Sequence, residues 1–122
     1  MIRLIQRHLI IHRGDTGVFS LPIKEPIASG DIAVFIIFNP LTHTVIFNKI
    51  ISLEADATLL NVEFSYNDTI DLTPGRYKWD VKIYHEPVYD EDDILIGATQ
   101  VNSYYAAYSL PSCDIREGGS IL

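Results

Sequence analysis

Four histidines, His8, His12, His43 and His85, are the side chains best suited to hold a metal or move a proton near neutral pH. They are scattered along the chain. His8 and His12 are four residues apart, which would put them on one face of a helix. In a strand they stand about 13 Å apart, too far to share an ion. No HExxH or CxxC spacing accompanies them. Asp90, Glu91, Asp92 and Asp93 concentrate carboxylates that could attract calcium. A calcium loop of the EF-hand type needs oxygen ligands at alternate positions, a central glycine and a closing glutamate. Counted from Asp90, the fifth, sixth and twelfth positions are Ile94, Leu95 and Val101, so the run reads as a solvated hairpin tip. A nucleophile would need a base beside it, and there is neither a GxSxG nor a histidine near Cys113. Phosphate-cradling glycine loops are missing as well. The sequence therefore nominates no catalytic residue, no cofactor site and no metal site, and the expectation is that this is not an enzyme.

Two tripeptides match recognition motifs. Arg13-Gly14-Asp15 is a cell-adhesion triplet, but Gly-Asp between strands is ordinary turn chemistry. Asn67-Asp68-Thr69 is formally a glycosylation acceptor, meaningful only on a secretory route. Tyrosines are more informative. Tyr104, Tyr105 and Tyr108 fall within five residues, with Tyr84 and Tyr89 on the preceding strand or hairpin. Tyrosine gives large contact area with a polar tip, so these five are candidate interface residues.

The elements that must position these groups are short β-type runs separated by turn clusters. Ile2 to His12 is apolar with an alternation that slips midway, which predicts a bulge. After the RGDTG turn, VFSLPI forms a short strand ended by Pro22, and KEPIASGD a loop. IAVFIIF, residues 32 to 38, is apolar on both faces and reads as a central strand or as one facing an interface. TVIFNKIIS returns, LEADATLL is a helical turn or an irregular link, and LNVEFSYN alternates cleanly. In RYKWDVKIY, Tyr77, Trp79, Val81 and Ile83 share one face while Lys78, Asp80, Lys82 and Tyr84 share the other. The acidic tip follows, then one or two last strands. No window has sustained helical periodicity. The expected class is all-β, an immunoglobulin-like antiparallel β-sandwich of about seven to nine strands, with one domain over residues 1–112 and a polar C-terminal tail over 113–122.

Bulk properties fit that reading. A chain of 122 residues, 48% hydrophobic, suffices for one domain with its own core. No apolar run reaches the length of a membrane helix, and the opening residues lack the uninterrupted apolar core of a signal peptide. A single cysteine excludes an internal disulfide and suggests synthesis in a reducing compartment. A net charge of −7 argues against direct nucleic-acid binding. Arg3, Arg7 and Arg13 lie in the first thirteen residues, where no acid occurs. Such asymmetry either sets complementary patches for assembly, making Arg3 and Arg7 interface candidates, or protects an edge strand from unwanted pairing.

The Leu-x-Pro-Gly-x-Tyr turn that ends in Tyr77 resembles the tyrosine corner of immunoglobulin-like sandwiches. Gly75, Tyr77, Trp79 and Asp15 are accordingly assigned structural roles. Two segments, RGDTGVFSLPI and DTIDLTPGRYKWDVKIY with SYYAAYSLP, resemble small β-sandwich proteins from the structural genes of tailed phages and prophages of Gram-positive bacteria, similar to the N-terminal domain of upper baseplate proteins. The residues that carry the resemblance are Gly14, Asp15 and Thr16, then Gly75, Tyr77, Trp79, Asp80 and Val81. It implies a non-enzymatic virion-associated structural or interaction protein in the baseplate, tail or head. As one domain without a fibre-like extension, the chain fits a small accessory or connector. The expected partners are further copies of the chain or another phage structural protein, with no membrane, and the expected location is the virion or the host cytoplasm. Two alternatives remain. One is a small acidic inhibitor that imitates nucleic acid before a host defence nuclease, using Asp90 to Asp93 with Glu54, Asp56, Glu63, Asp68 and Asp71. The other is a carbohydrate-binding sandwich that stacks sugar on Trp79 or on exposed tyrosines.

Overall fold

A computed structural model describes residues 2–104 and 110–117. Nine strands and one helical turn follow one another along the described residues. They are β1 (Arg3–Ile5), β2 (His8–His12), β3 (Gly17–Pro22), β4 (Ile32–Phe38), β5 (Val45–Ser52), β6 (Leu59–Phe64), α1 (Tyr66–Thr69), β7 (Gly75–Tyr89), β8 (Leu95–Ser103) and β9 (Ser112–Arg116). Among the described residues these strands make a seven-stranded sheet in the order β1-β2-β9-β7-β4-β5, with β8 also on β7, and a two-stranded sheet of β3 and β6. The architecture is all-β and sandwich-like. It is not purely antiparallel, because β2 and β9 run parallel, with Leu9 opposite Cys113 and Ile11 opposite Ile115.

Period-two alternation explains which side chains go inside. On β7, Tyr77, Trp79, Val81 and Ile83 are all buried, as expected of the row. The small sheet answers with Phe19, Leu21, Leu60, Val62 and Phe64. Trp79 is fully buried, its ring 5.7 Å from Phe19 and 5.9 Å from Phe35. Phe64 packs edge-on to Phe35 at 5.7 Å, and Phe47 stacks on Phe64 at 5.5 Å. Such ring pairs add about 0.5–1.5 kcal/mol each beyond their burial. The indole Nε1–H donates to the Arg7 carbonyl at 3.1 Å, so the largest core side chain also satisfies the turn between β1 and β2. Tyr77 forms the expected corner: its hydroxyl donates to the Thr73 carbonyl at 2.8 Å, and Gly75 lies under its ring.

Two expectations change, one alternative is decided, and one residue is buried unannounced. The slip in the first run is not a bulge but a hairpin, with Ile5 paired to His8 and Gln6 turned to φ +56°. The LEADATLL segment is an irregular link with a turn at Asp56 (φ +62°), not a helix. Residues 113–116 are not tail: β9 inserts between β2 and β7, and Cys113 and Ile115 are buried. Burial there pushes the Cys113 thiol up to about 12. Asp80 stands on the face opposite Trp79 yet is only 3% exposed, and burial raises its pKa despite the Val81 N–H that its carboxylate accepts.

Asp15 lies in the RGDTG turn, and its backbone meets α1. Its carbonyl accepts the buried Thr69 hydroxyl at 2.8 Å, which fastens α1 to the RGDTG turn. Gly14 sits in that turn at φ +81°, a conformation glycine adopts freely and an L side chain only with strain. Arg13 of the adhesion-like triplet is likewise engaged, with Nε donating to the Ile70 carbonyl and Nη1 paired to Glu117 at 2.7 Å. α1 carries a capping box in which Ser65 and Asp68 exchange hydrogen bonds.

Removing the Tyr77 hydroxyl in Tyr77→Phe is expected to cost about 1 kcal/mol in urea unfolding. Trp79→Ala, which empties the meeting point of both sheets, is expected to cost about 3–5 kcal/mol by the same measurement.

Candidate functional site, a carboxylate–histidine clasp at the root of a projecting hairpin

Pairing between β4 and β7 ends at Ile32 opposite Tyr84. The next residue outward on each strand is therefore Asp31 beside His85. Asp31 is 2% exposed, an unusual place for a carboxylate unless its oxygens are filled. They are filled: it accepts Ala28 N–H at 2.9 Å, Glu86 N–H at 3.1 Å and His85 Nδ1–H at 2.7 Å. The other imidazole nitrogen, Nε2, donates to Glu25 at 2.5 Å, and Glu25 also accepts from the Asn102 amide at 2.7 Å. The loop ahead of β4 is thus tied to β7 through His85 and to β8 through Asn102.

Electrostatics follow from this geometry. A ring held by carboxylates at both nitrogens donates from both, which is the imidazolium form. The hydrogen bond that His85 donates to Glu25, and then the one it donates to Asp31, raise its pKa against the smaller opposing effect of burial. Burial works to raise the pKa of Asp31, but the Ala28 and Glu86 N–H groups together with His85 outweigh it and leave the value lowered. Glu86 takes a left-handed backbone (φ +51°) that aims its N–H at Asp31. That conformation is strained for a non-glycine residue, and the clasp holds it.

An open depression of about 490 Å³ lies over the clasp, floored by Glu25, Asp31 and His85 and bordered by Pro26, Gln100 and Asn102. Superficially His85 and Asp31 form two members of a hydrolytic triad. Both ring nitrogens are already donors to carboxylates, however, so neither faces a hydroxyl or thiol to activate. Among the described residues no His, Cys, Asp or Glu group is arranged to hold a metal ion. What the arrangement can do is hold a pH-dependent mechanical joint.

Beyond the joint, β7 and β8 run on as a two-stranded ribbon, His85 opposite Gln100 and Tyr89 opposite Leu95. Among the described residues β8 pairs only with β7. Val88, Ile94 and Ile96 are 48%, 59% and 64% exposed on this arm. At its tip Asp90 accepts the N–H groups of Asp92 and Ile94, which makes the DEDD run a turn. From His85 to Ser103 there are five acidic residues and no Lys or Arg.

The residues nominated from sequence are distributed, not gathered. Tyr89 is exposed on the arm, while Tyr84 is half-buried between Ile32 and Val101. Tyr104 is a stitch: its N–H donates to Val81 and its hydroxyl to the Pro22 carbonyl at 2.8 Å, joining the two sheets. Tyr105 and Tyr108 lie outside the described residues. Arg3 and Arg7 are exposed on β1 and on the β1–β2 turn. His8 contacts Ser112 at 2.6 Å and Asp114 at 3.3 Å, and His12 is 3.9 Å from Asp15. Trp79, proposed as a sugar platform, has no exposed surface to offer one. Sequence reasoning missed Asp31, Glu25 and the pairing of His85. Their juxtaposition depends on the β4–β7 register across 54 residues, and a lone Asp ahead of an apolar strand was the only local sign.

The clasp has a defined pH window. His85, with its folded pKa raised, contributes stability fully present below about 6.5 and lost as pH rises through its folded value. Asp31, with its value lowered, contributes above about 3.8 and loses its share as pH falls through the folded value. Wild type should therefore exceed His85→Gln in urea stability by about 1–3 kcal/mol near pH 5.5. The difference should shrink by pH 8.5, with the His85 ring resonances in an NMR titration moving over the same range.

Comparisons of the chain with protein-family models, with curated proteins and with solved structures return no match.

Proposed function

We propose that this chain is a non-enzymatic assembly module, an immunoglobulin-like sandwich of a tailed-phage particle that binds further copies of itself or a larger virion protein. The observation that carries this reading is the β7–β8 arm. A lone two-stranded ribbon is marginal in water, and this one projects apolar side chains that no described element covers. Its outer strand, from Leu95 to Ser103, also lacks any charge or proline to discourage edge pairing. Both features suit a surface that is covered in an assembly. The phage assignment is supported by the motif residues alone: Gly14, Asp15, Tyr77 and Trp79 occupy turn, corner and core positions, the structural roles that the resemblance implies.

The acidic arm supports a second reading, an inhibitor whose carboxylates imitate phosphates before a basic nucleic-acid-binding enzyme. Asp68 is not available to it, being engaged with Ser65 and Lys49.

Sedimentation velocity should show wild type heavier than the 13.8 kDa monomer, and a Val88→Ser/Ile94→Ser/Ile96→Ser variant monomeric with an unchanged circular-dichroism spectrum. Both proteins would also serve as baits in a lysate of the cell that naturally makes the chain. Tail or capsid proteins retained by wild type and lost by the variant support the assembly reading, whereas a nuclease retained by both favours the second. A wild type that stays monomeric and retains neither would overturn both.

A further inference from the structure

Opposite in character to the arm tip is a hollow beside the N-terminal hairpin. It measures about 400 Å³ and is lined by Ile5, Arg7, His8, Lys78 and the Leu110–Ser112 segment. No carboxylate is among its described lining residues, and the nearest to them, Asp114, is held 3.3 Å from His8. Ile5 is 53% exposed at its edge, and the Lys78 ammonium spends one donor on the Leu110 carbonyl at 3.1 Å, leaving two of its three. The arm tip presents the matching set: Glu91, Asp92 and Asp93 exposed, flanked by exposed Tyr89 and Ile94. One surface is cationic with an apolar rim, and the other is anionic with apolar shoulders.

We infer that the arm tip of one copy seats in the basic hollow of a second copy of the same chain. This rests on the assembly reading and names its contact. A copy cannot fill its own hollow. Lys78 and Tyr89 lie eleven residues apart along one strand, up to about 36 Å at the usual rise, and the bend at Glu86 shortens this without bringing the tip back to the hollow. The tip therefore projects away from the hollow and must meet another molecule. Because the two surfaces differ, the contact is head-to-tail, and each copy keeps one tip and one hollow to offer; such contacts close into rings or continue as filaments. Charge complementarity of this kind steers encounter and fixes register, and it is weakened by salt.

Sedimentation velocity of the full chain tests it with two reversals, Glu91→Arg/Asp92→Arg at the tip and Arg7→Glu/Lys78→Glu in the hollow. Each alone should weaken self-association at least about tenfold. Mixed in equal amounts, they should recover association in alternating assemblies that extend as the wild type does, because the reversed tip complements the reversed hollow just as the native tip complements the native hollow. Should the hollow variant lose its folded spectrum, Arg7→Gln/Lys78→Gln and a titration from about 50 to about 500 mM NaCl on wild type supply the same readout, with association falling as salt rises. Association that survives both reversals, or that is indifferent to salt, overturns the tip–hollow contact. If the arm serine variant abolishes that surviving association, the assembly reading stands without it. A wild type still monomeric at about 0.5 mM overturns self-docking, and the assembly reading then rests on the captured virion proteins.

Discussion

Everything in this molecule is arranged around the indole of Trp79. Four distant pieces of chain meet there: Phe19 from the small sheet, Phe35 from β4, the Arg7 carbonyl from the first hairpin, and the Pro111 carbonyl, which accepts the Trp79 backbone N–H just before β9. Core interiors are packed to the density of organic crystals, so the ring fixes the spacing of both sheets as well as filling space. Its one polar atom is satisfied by the turn at Arg7. That turn in turn shapes the hollow beside Lys78, so the core residue and the surface feature are parts of one construction.

The same strand that carries Trp79 inward carries the arm outward. β7 is fifteen residues long, and only its first ten are flanked by β9 or β4. At the tenth, Tyr84, the sandwich ends and the clasp begins. His85 holds two carboxylates and stands where a ribbon without further support would otherwise splay from the body. The strained Glu86 backbone, with its N–H diverted to Asp31, redirects the strand at this point. A buried joint that depends on an imidazolium is strongest in mildly acid solution. The arm is thus anchored by electrostatics at its root while its length carries exposed apolar side chains.

How much of this could be read from the letters varies with distance along the chain. The Tyr77–Ile83 row was legible because strand periodicity is a local property, and the corner because Thr73 and Tyr77 are four residues apart. The hairpin tip at Asp90 was legible for the same reason. β9 was not. It contributes only Cys113 and Ile115 to the core, sits next to glycines, and pairs in parallel with a strand that no turn connects to it. The clasp was invisible because Asp31, Glu25 and His85 come together only through the β4–β7 register. The tyrosines show the limit from the other side: composition suggested one interface patch, but Tyr104 spends its hydroxyl on Pro22 inside the molecule.

The position of β9 has a consequence for how the chain is made. Residues 112–116 lie between residues 8–12 and residues 75–78, so among the described residues β2 has no strand partner on that edge until they have been made. The His8–Ser112 contact closes over 104 residues, and loops that long are slow to close. During synthesis the backbone edge of β2 that pairs with β9 must wait unpaired. That open edge is a template for misassociation until the five-residue β9 slips into the gap.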